Sequence, residues 1–203
     1  MISVLDYGVG NLGSILNMCK KIGVAAQLVA DPEALLRAEK ILLPGVGAFD
    51  NAMREFRQRG FEAPLKHKAL EERVPLLGIC LGMQMLGHGS EEGELEGLGL
   101  VDAVTKRFRF EPSSGLKIPH MGWNVVTPMP ANPLLPHDGT EQRFYFAHSY
   151  HVLCANPDDA VASCHYGMDF TCMLRHENIM GAQFHPEKSH RFGMALLKRY
   201  AEV

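Results

Sequence analysis

The chain has 203 residues, of which 46% are hydrophobic and 21% are charged. Lys and Arg number 20 against 23 Asp and Glu, which leaves a formal net charge of −3. This composition is typical of a globular protein with a real core and excludes a disordered chain. A surface that follows nucleic-acid phosphates needs a basic excess, so no nucleic-acid partner is expected.

The five cysteines are odd in number and include no C-x-x-C pair, which argues against a disulfide framework and a zinc site. The segment Met1–Asp6 lacks the regions of a signal peptide. No apolar run reaches the roughly 18 residues that cross a bilayer. We therefore expect a cytoplasmic protein with reduced thiols, no bound metal and no membrane partner.

In the first half of the chain, short apolar runs alternate with amphipathic ones. The predicted strands are Ile2–Leu5, Val24–Val29, Ile41–Leu43 and Pro75–Gly78. The predicted helices begin near Leu12 and Asp31 and then cover Ala48–Gln58, Phe61–Arg73 and Leu81–Leu86. Short, wholly apolar strands joined by helices predict a parallel sheet with helices on both faces.

Beyond the acidic stretch Ser90–Glu96, which is typical of a solvated loop, strand patterns dominate. The predicted strands there are Val101–Thr105, Arg107–Phe110, Asn124–Thr127, Phe144–Phe146, Val161–Cys164, Thr171–Leu174 and Ile179–Phe184. A last helix covers Arg191–Ala201. The pattern predicts one α/β domain over residues 1–203, with an open mixed, mainly parallel sheet covered by helices on both faces.

The segment Gly8–Gly13 has the spacing G-x-G-x-x-G between a predicted strand and a predicted helix. With Asp31 as the ribose-binding acid, it would suit a dinucleotide. The pattern alone is a weak signal, however, and Asp31-Pro32 is also typical of a helix start. We therefore favour a structural turn.

The segment Gly78-Ile79-Cys80-Leu81-Gly82 has the form of a nucleophile elbow with a thiol in place of the usual hydroxyl. A sharp turn from strand to helix would place Cys80 at a helix N-terminus, where the thiolate is favoured. The Leu81 N–H would then face a developing oxyanion. A second oxyanion donor is expected from Val46 or Gly47, since the glycines of Pro44–Gly47 allow a peptide to turn inward.

A thiol nucleophile needs a base, and the base needs an acceptor that orients it. His185 and Glu187 fit these roles, because residues i and i+2 of an extended segment face the same side. Pro186 favours that extended conformation. The competing histidines His120, His148 and His151 are typical of hydrogen-bonded structural residues.

Six segments together resemble the triad-type, class I glutamine amidotransferases, which have a flavodoxin-like fold. They are Asp6–Leu12, Pro44–Phe49, Gly78–Gln84, Pro119–Asn124, Phe146–Tyr150 and Phe184–Ser189. More narrowly, the first and fourth are similar to the glutaminase subunits of imidazole glycerol phosphate synthases. The resemblance implies glutamine hydrolysis through a thioester on Cys80, without a cofactor, and glutamine binding by Gln84, Glu92, Ser149 and Tyr150.

The resemblance also implies a heterodimer with a separate (β/α)8-barrel cyclase subunit, which uses the ammonia in histidine biosynthesis. Asn11, Trp123 and Tyr145 are expected on the face that docks on the barrel. Three alternatives remain open at this point: an amidotransferase of another pathway, a nucleotide-binding module built on Gly8–Gly13, and a non-catalytic scaffold for the cyclase.

Overall fold

The computed structural model describes all 203 residues, and its eleven strands form one sheet. The strands are β1 (Ile2–Leu5), β2 (Ala26–Val29), β3 (Ile41–Gly45), β4 (Leu76–Cys80), β5 (Ala103–Arg107), β6 (His120–Pro128), β7 (Gln142–His148), β8 (Tyr150–Cys154), β9 (Ala160–His165), β10 (Asp169–His176) and β11 (Ile179–Ala182). The strand order is β2-β1-β3-β4-β11-β10-β9-β6-β7, and β8 pairs with β10 and β5.

Six helices accompany the sheet, and short 3₁₀ and π turns join several of the elements. The helices are α1 (Leu12–Lys21), α2 (Pro32–Leu35), α3 (Phe49–Gln58), α4 (Glu62–Lys66), α5 (Leu81–Met85) and α6 (His190–Glu202). None of them is both long enough and apolar enough to cross a membrane.

The sheet is mixed, as the sequence predicts. Strands β2, β1, β3, β4 and β11 run parallel, whereas β10, β9, β6 and β7 extend the sheet in antiparallel fashion. The register pairs Gly45 with Cys80 and Ala182 with Ile79. The carboxyl ends of β3, β4 and β11 therefore meet at one edge, which is where ligands bind in open α/β sheets.

The apolar side chains of the central strands alternate between two cores, one on each face of the sheet. Leu42 packs in a cluster of 26 buried residues that includes residues of α1 and α6. Its neighbours Ile41 and Leu43 pack in a cluster of 27 that includes residues of α3 and α4. Because successive strand residues point to opposite faces, an uninterrupted apolar strand requires cover on both.

Two predicted elements differ from the structure, and one observed strand is not predicted. The predicted strand Arg107–Phe110 is wrong, because only Arg107 is in a strand, as the last residue of β5. The predicted helix Phe61–Arg73 divides into α4 and a π turn over His67–Glu71. Strand β8 has no predicted counterpart, because its buried and exposed residues do not alternate. Its extended conformation comes instead from pairing with β5 and β10.

Candidate active site

Cys80 stands at the junction of β4 and α5, with φ 55° and ψ −109°. This conformation is unusual for a residue with a Cβ atom and is the strained turn of a nucleophile elbow. A Cβ on Gly78 would lie 2.7 Å from the carbonyl oxygen of Gly82, and a Cβ on Gly82 would collide with the carbonyl oxygen of Leu43. The two glycines of the motif are therefore there because the elbow packs directly on neighbouring backbone.

His185 and Glu187 lie together beside the elbow. The His185 Nδ1 donates to Glu187 Oε1 at 2.8 Å, and the two side chains are only 4% and 2% exposed. The contact agrees with the sequence prediction, and His185 is extended as expected before Pro186, but the expected extension through Glu187 is wrong. Strand β11 ends at Ala182, and Pro186–Lys188 forms a 3₁₀ turn that brings the carboxylate back to the ring.

The electrostatic environment of His185 favours the imidazolium. Burial alone would lower the pKa of His185, but hydrogen bonds and charge interactions with Cys80 and Glu187 outweigh it and raise that pKa to about 10. The pKa of His185 rises because each of its two ring nitrogens has an acceptor, one the Glu187 carboxylate and the other the Cys80 sulfur. His185 can therefore be cationic where it faces the Cys80 sulfur.

A cavity of about 380 Å³ opens beside the sulfur. Cys80, although only 6% exposed, forms part of its wall together with His185. All of the residues predicted to supply oxyanion donors or to bind glutamine also line it: Val46, Gly47, Leu81, Gln84, Glu92, Ser149 and Tyr150. Glu187 stands behind the histidine and lines a separate cavity of about 320 Å³.

The acidic stretch Ser90–Glu96 is anchored to α3 rather than being a freely solvated loop. The Asp50 carboxylate accepts hydrogen bonds from the N–H groups of Glu94 and Leu95, and these bonds lower its pKa. Glu92 Oε2 accepts from the Phe49 N–H at 3.0 Å. The loop is thereby held so that the Glu92 carboxylate lies at the cavity wall.

Two further residues, which the sequence patterns did not indicate, contact the site. The Gln183 side chain donates to Cys80 Sγ at 3.7 Å. Tyr7 is fully buried and donates to the Pro44 carbonyl at 2.7 Å, at the base of the Gly45–Gly47 turn. Gln183 could have been found by extending the i, i+2 argument backwards from His185, whereas a buried tyrosine carries no comparable signal.

Two of the competing histidines, His120 and His148, are hydrogen-bonded to one another. The third, His151, stacks on Phe108, and its buried Nδ1 has no hydrogen-bond partner, so the expectation of a hydrogen-bonded residue is wrong for that nitrogen. His148 Nδ1 lies 2.7 Å from the Tyr150 carbonyl and therefore donates to it, which leaves Nε2 to accept from His120 Nδ1 at 3.0 Å. Burial lowers the pKa of His120 to about 4 and that of His148 to about 3. With both of its ring nitrogens occupied, the neutral His148 is not placed to act as a base for Cys80.

The family model "Glutamine amidotransferase class-I" matches residues 3–201. The chain belongs to this family. It is 47% identical to "Imidazole glycerol phosphate synthase subunit HisH 2" of Pseudomonas aeruginosa over 203 residues, covering 100% of both chains. A subunit HisH of Bdellovibrio bacteriovorus is 45% identical over 204 residues, again covering 100% of both. The sequence resemblance to glutaminase subunits of this synthase is thus confirmed.

Solved structures support the fold of this amidotransferase. A crystal structure of a glutamine amidotransferase matches with a TM-score of 0.75 at 18% identity, covering 100% of this chain and 99% of the other. The structure of PurLQS from Thermotoga maritima also gives a TM-score of 0.75 at 18% identity, covering 99% and 97%. At such low identity these matches establish the shared α/β architecture alone.

Of the residues expected at a docking face, Trp123 is exposed, whereas Asn11 and Tyr145 are partly buried. Trp123 is 41% exposed, pairs across β6 and β7 with Tyr145, and stacks on His190 at 5.5 Å. His190 also lines the second cavity, which Glu187 lines as well, together with Ser14 and other residues of α1. Asn11 precedes α1 and makes no side-chain capping bond.

The Gly8–Gly13 turn has the features of a structural element. Asp31 is the N-cap of α2 and accepts from the Glu33 N–H at 3.2 Å, as its helix-start pattern predicts. The third glycine of the motif, Gly13, has open space around it, because a Cβ added there would meet no atom within 4 Å. In a dinucleotide fold that glycine is needed for close packing of helix on strand, so the alternative of a nucleotide-binding module is not favoured.

Proposed function

We propose that the chain hydrolyses the side-chain amide of glutamine through Cys80, His185 and Glu187. The observation that carries this proposal is the placement of Cys80 and His185 in the wall of one cavity, with the Glu187 carboxylate 2.8 Å from the His185 ring and the pKa of His185 raised to about 10. A neutral thiol beside a neutral imidazole would be a weak nucleophile, whereas a thiolate–imidazolium pair is poised for attack on a carbonyl.

In the first half of the reaction, the Cys80 thiolate attacks the amide carbon and the carbonyl oxygen gains the negative charge. The Leu81 N–H, at the first position of α5, and the N–H of Val46 or Gly47 are proposed to bind that oxyanion. His185 then gives its proton to the departing nitrogen, which leaves as ammonia. The products of this half are a γ-glutamyl thioester and a neutral imidazole.

In the second half, a water molecule attacks the thioester while His185 removes its proton. Collapse of the tetrahedral intermediate expels the Cys80 thiolate and releases glutamate, and the imidazolium is restored. Glu187 keeps the ring in one orientation and stabilises its cationic form throughout. No cofactor or metal takes part in this scheme.

The remaining polar groups of the cavity are proposed to bind the substrate. The Glu92 carboxylate suits the α-ammonium group of glutamine, because Phe49 engages only one of its oxygens. Gln84, Ser149 and Tyr150 also line the cavity and offer hydrogen bonds to the α-carboxylate and the amide. A free amino acid presents both of these charges, which the mixed polarity of the wall can match.

We further propose that the ammonia passes to a cyclase barrel in a heterodimer of the cytoplasm, for synthesis of imidazole glycerol phosphate and an aminoimidazole carboxamide ribonucleotide. The names of the relatives, which describe subunits of that synthase, support this partner. So does an exposed apolar row on β6, in which Met121, Trp123 and Val125 alternate with less exposed residues.

Replacement of the nucleophile tests the proposal. Cys80→Ala should abolish glutamine-dependent synthesis by the assembled enzyme, by at least about 1,000-fold, because no other group can form the thioester. Synthesis from added ammonium should be kept. Cys154→Ala is the matched control, because that partly buried thiol lies outside the cavity. Glutamine-dependent activity that survives in the Cys80→Ala enzyme would instead indicate a scaffold.

A further inference from the structure

A buried amide reaches the sulfur of Cys80 from the side of β11. Gln183 follows that strand and is completely buried. Its Nε2 lies 3.7 Å from Cys80 Sγ, a normal separation for an N–H···S hydrogen bond. The parallel register, which pairs Ala182 with Ile79, sets the next residue of each strand side by side.

The orientation of this amide is determined by its neighbours. Gln84 Nε2 lies 3.4 Å from the Tyr150 carbonyl, which can only accept, so the nitrogen of Gln84 must point that way. The same nitrogen lies 3.0 Å from the Gln183 Oε1. Gln183 therefore turns its oxygen to Gln84 and its N–H to the sulfur. The bonds form one chain from the Tyr150 carbonyl to Cys80.

We propose that Gln183 is a positioning residue that holds the Cys80 sulfur as a hydrogen-bonded anion and ties it to the substrate-contacting Gln84. The inference rests on the glutaminase function proposed above. An N–H donor binds a thiolate more strongly than a thiol, so it favours the nucleophilic form. Unlike His185, the amide gives up no proton, and it is in place both when the sulfur attacks and when it leaves.

The strand itself does not require this side chain. The Gln183 backbone N–H already donates to the Cys172 carbonyl at 2.9 Å, so the backbone is hydrogen-bonded here without any help from the side chain. An amide costs free energy when it is buried unless its polar atoms are paired. An apolar residue would fill the same volume without that cost, and here the amide nitrogen contacts the nucleophile.

Alkylation of Cys80 measures the effect directly, without glutamine and without a partner. In the full chain, iodoacetamide should label Cys80 selectively, because burial raises the pKa of each other thiol, to about 11 for Cys154 and about 12 for Cys164. Gln183→Met keeps the volume and removes the donor. We expect it to slow alkylation at pH 7 about tenfold, and to move the half-maximal rate to higher pH.

The matched control is Gln142→Met, which removes a second buried amide, one that bonds only the Thr140 carbonyl. It should alkylate at the wild-type rate. In steady-state glutamine hydrolysis, Gln183→Met should lower kcat and also raise KM, since Gln84 loses the nearer of its two acceptors. Gln183→Glu retains an acceptor for Gln84, so it should lower kcat about tenfold or more with KM nearly unchanged.

A measurement on the wild-type chain covers the case in which these variants do not fold. The side-chain amide of Gln183 should shift in a ¹H–¹⁵N spectrum as Cys80 ionises, and the shift should vanish in Cys80→Ala. The proposal is overturned by a folded Gln183→Met chain that alkylates like wild type, or by amide signals that do not change with pH. Either result leaves the Cys80→Ala test of the proposed function intact.

Discussion

At the residue scale, the five cysteines show how surroundings decide the chemistry of a thiol. Burial raises the pKa of Cys172 well above its usual value, and that of Cys164 to about 12, so both are inert at neutral pH. Cys80 is also largely buried, yet an imidazolium and an amide N–H face its sulfur. The proposed nucleophile thus differs from the other buried cysteines in the hydrogen-bond donors that face its sulfur, and not in its exposure to solvent.

The raised pKa of His185 predicts a pH dependence of stability. The group has a pKa of about 10 in the folded chain and of roughly 6.5 when unfolded. Its contribution is therefore complete below roughly pH 6.5 and is lost as the pH rises through about 10. The stability advantage of wild type over His185→Asn should shrink between pH 7 and 10, by about 3–4 kcal/mol.

Urea denaturation at several pH values measures this difference. His165→Asn is the control, because that side chain is 72% exposed and pairs with Asp169 in solvent; its stability difference from wild type should be nearly constant over the same range. An advantage for His185 that is equally large at pH 10.5 and at pH 7 would contradict the imidazolium assigned to the folded state.

At the scale of the elements, the site is a consequence of how closely the elbow helix packs on its neighbours. Strands β3 and β4 pair in parallel through Gly45 and Cys80. A Cβ on Gly45 would lie 2.7 Å from the backbone nitrogen of Gly82. Helix α5 can therefore start directly over the sheet edge only because Gly45 and Gly82, where the helix meets the sheet, carry no Cβ atom.

Alanine substitutions at a tightly packed glycine and at a glycine in open space should separate the effect of packing on stability from the effect of helix propensity. Gly82→Ala should lower the free energy of unfolding by about 2–3 kcal/mol, because the new methyl group meets the rigid Leu43 carbonyl. Gly13→Ala lies in α1 with open space around it and should raise stability by about 0.5–1 kcal/mol. Chemical denaturation of both variants checks this, and equal effects would refute the packing argument.

At the scale of the whole molecule, the proposed active site and the proposed docking face are joined by one short segment. Within the turn Pro186–Lys188, the Glu187 carboxylate accepts a hydrogen bond from His185. The Lys188 ammonium of the same turn lies 5.7 Å from the centre of the Tyr145 ring. His190, at the start of α6, stacks on Trp123. A partner bound on this face would therefore contact the element that orients the base.

The exposed tryptophan predicts where the proposed cyclase partner would bind. Trp123→Ala should weaken association with the cyclase about 30-fold, as expected for an aromatic anchor, and should change the chain's own stability by less than about 1 kcal/mol. Leu28→Ala is the control, since Leu28 is similarly exposed but lies on β2, at the opposite edge of the sheet. Titration calorimetry with the cyclase would measure both; equal affinities would place the interface elsewhere.

Local pattern is a good guide where the structure depends on neighbours in sequence. The short apolar strands, the elbow around Cys80 and the N-cap at Asp31 follow from side-chain alternation, steric needs and capping, and all are found. The pattern fails at β8, whose order comes from distant strands. The division into a single domain and the roles of the individual site residues stay predictions.

The amino-acid sequence was sufficient for the α/β class, for the position of the elbow at Cys80 and for the family, because these depend on periodicity and on motifs a few residues long. Folding was needed to bring His185 to Cys80, to turn Glu187 back through a 3₁₀ turn, and to set Gln183 and Tyr7 around the site. Apart from the local turn at Glu187, those contacts join residues far apart in the chain, and the sheet register determines which of them meet.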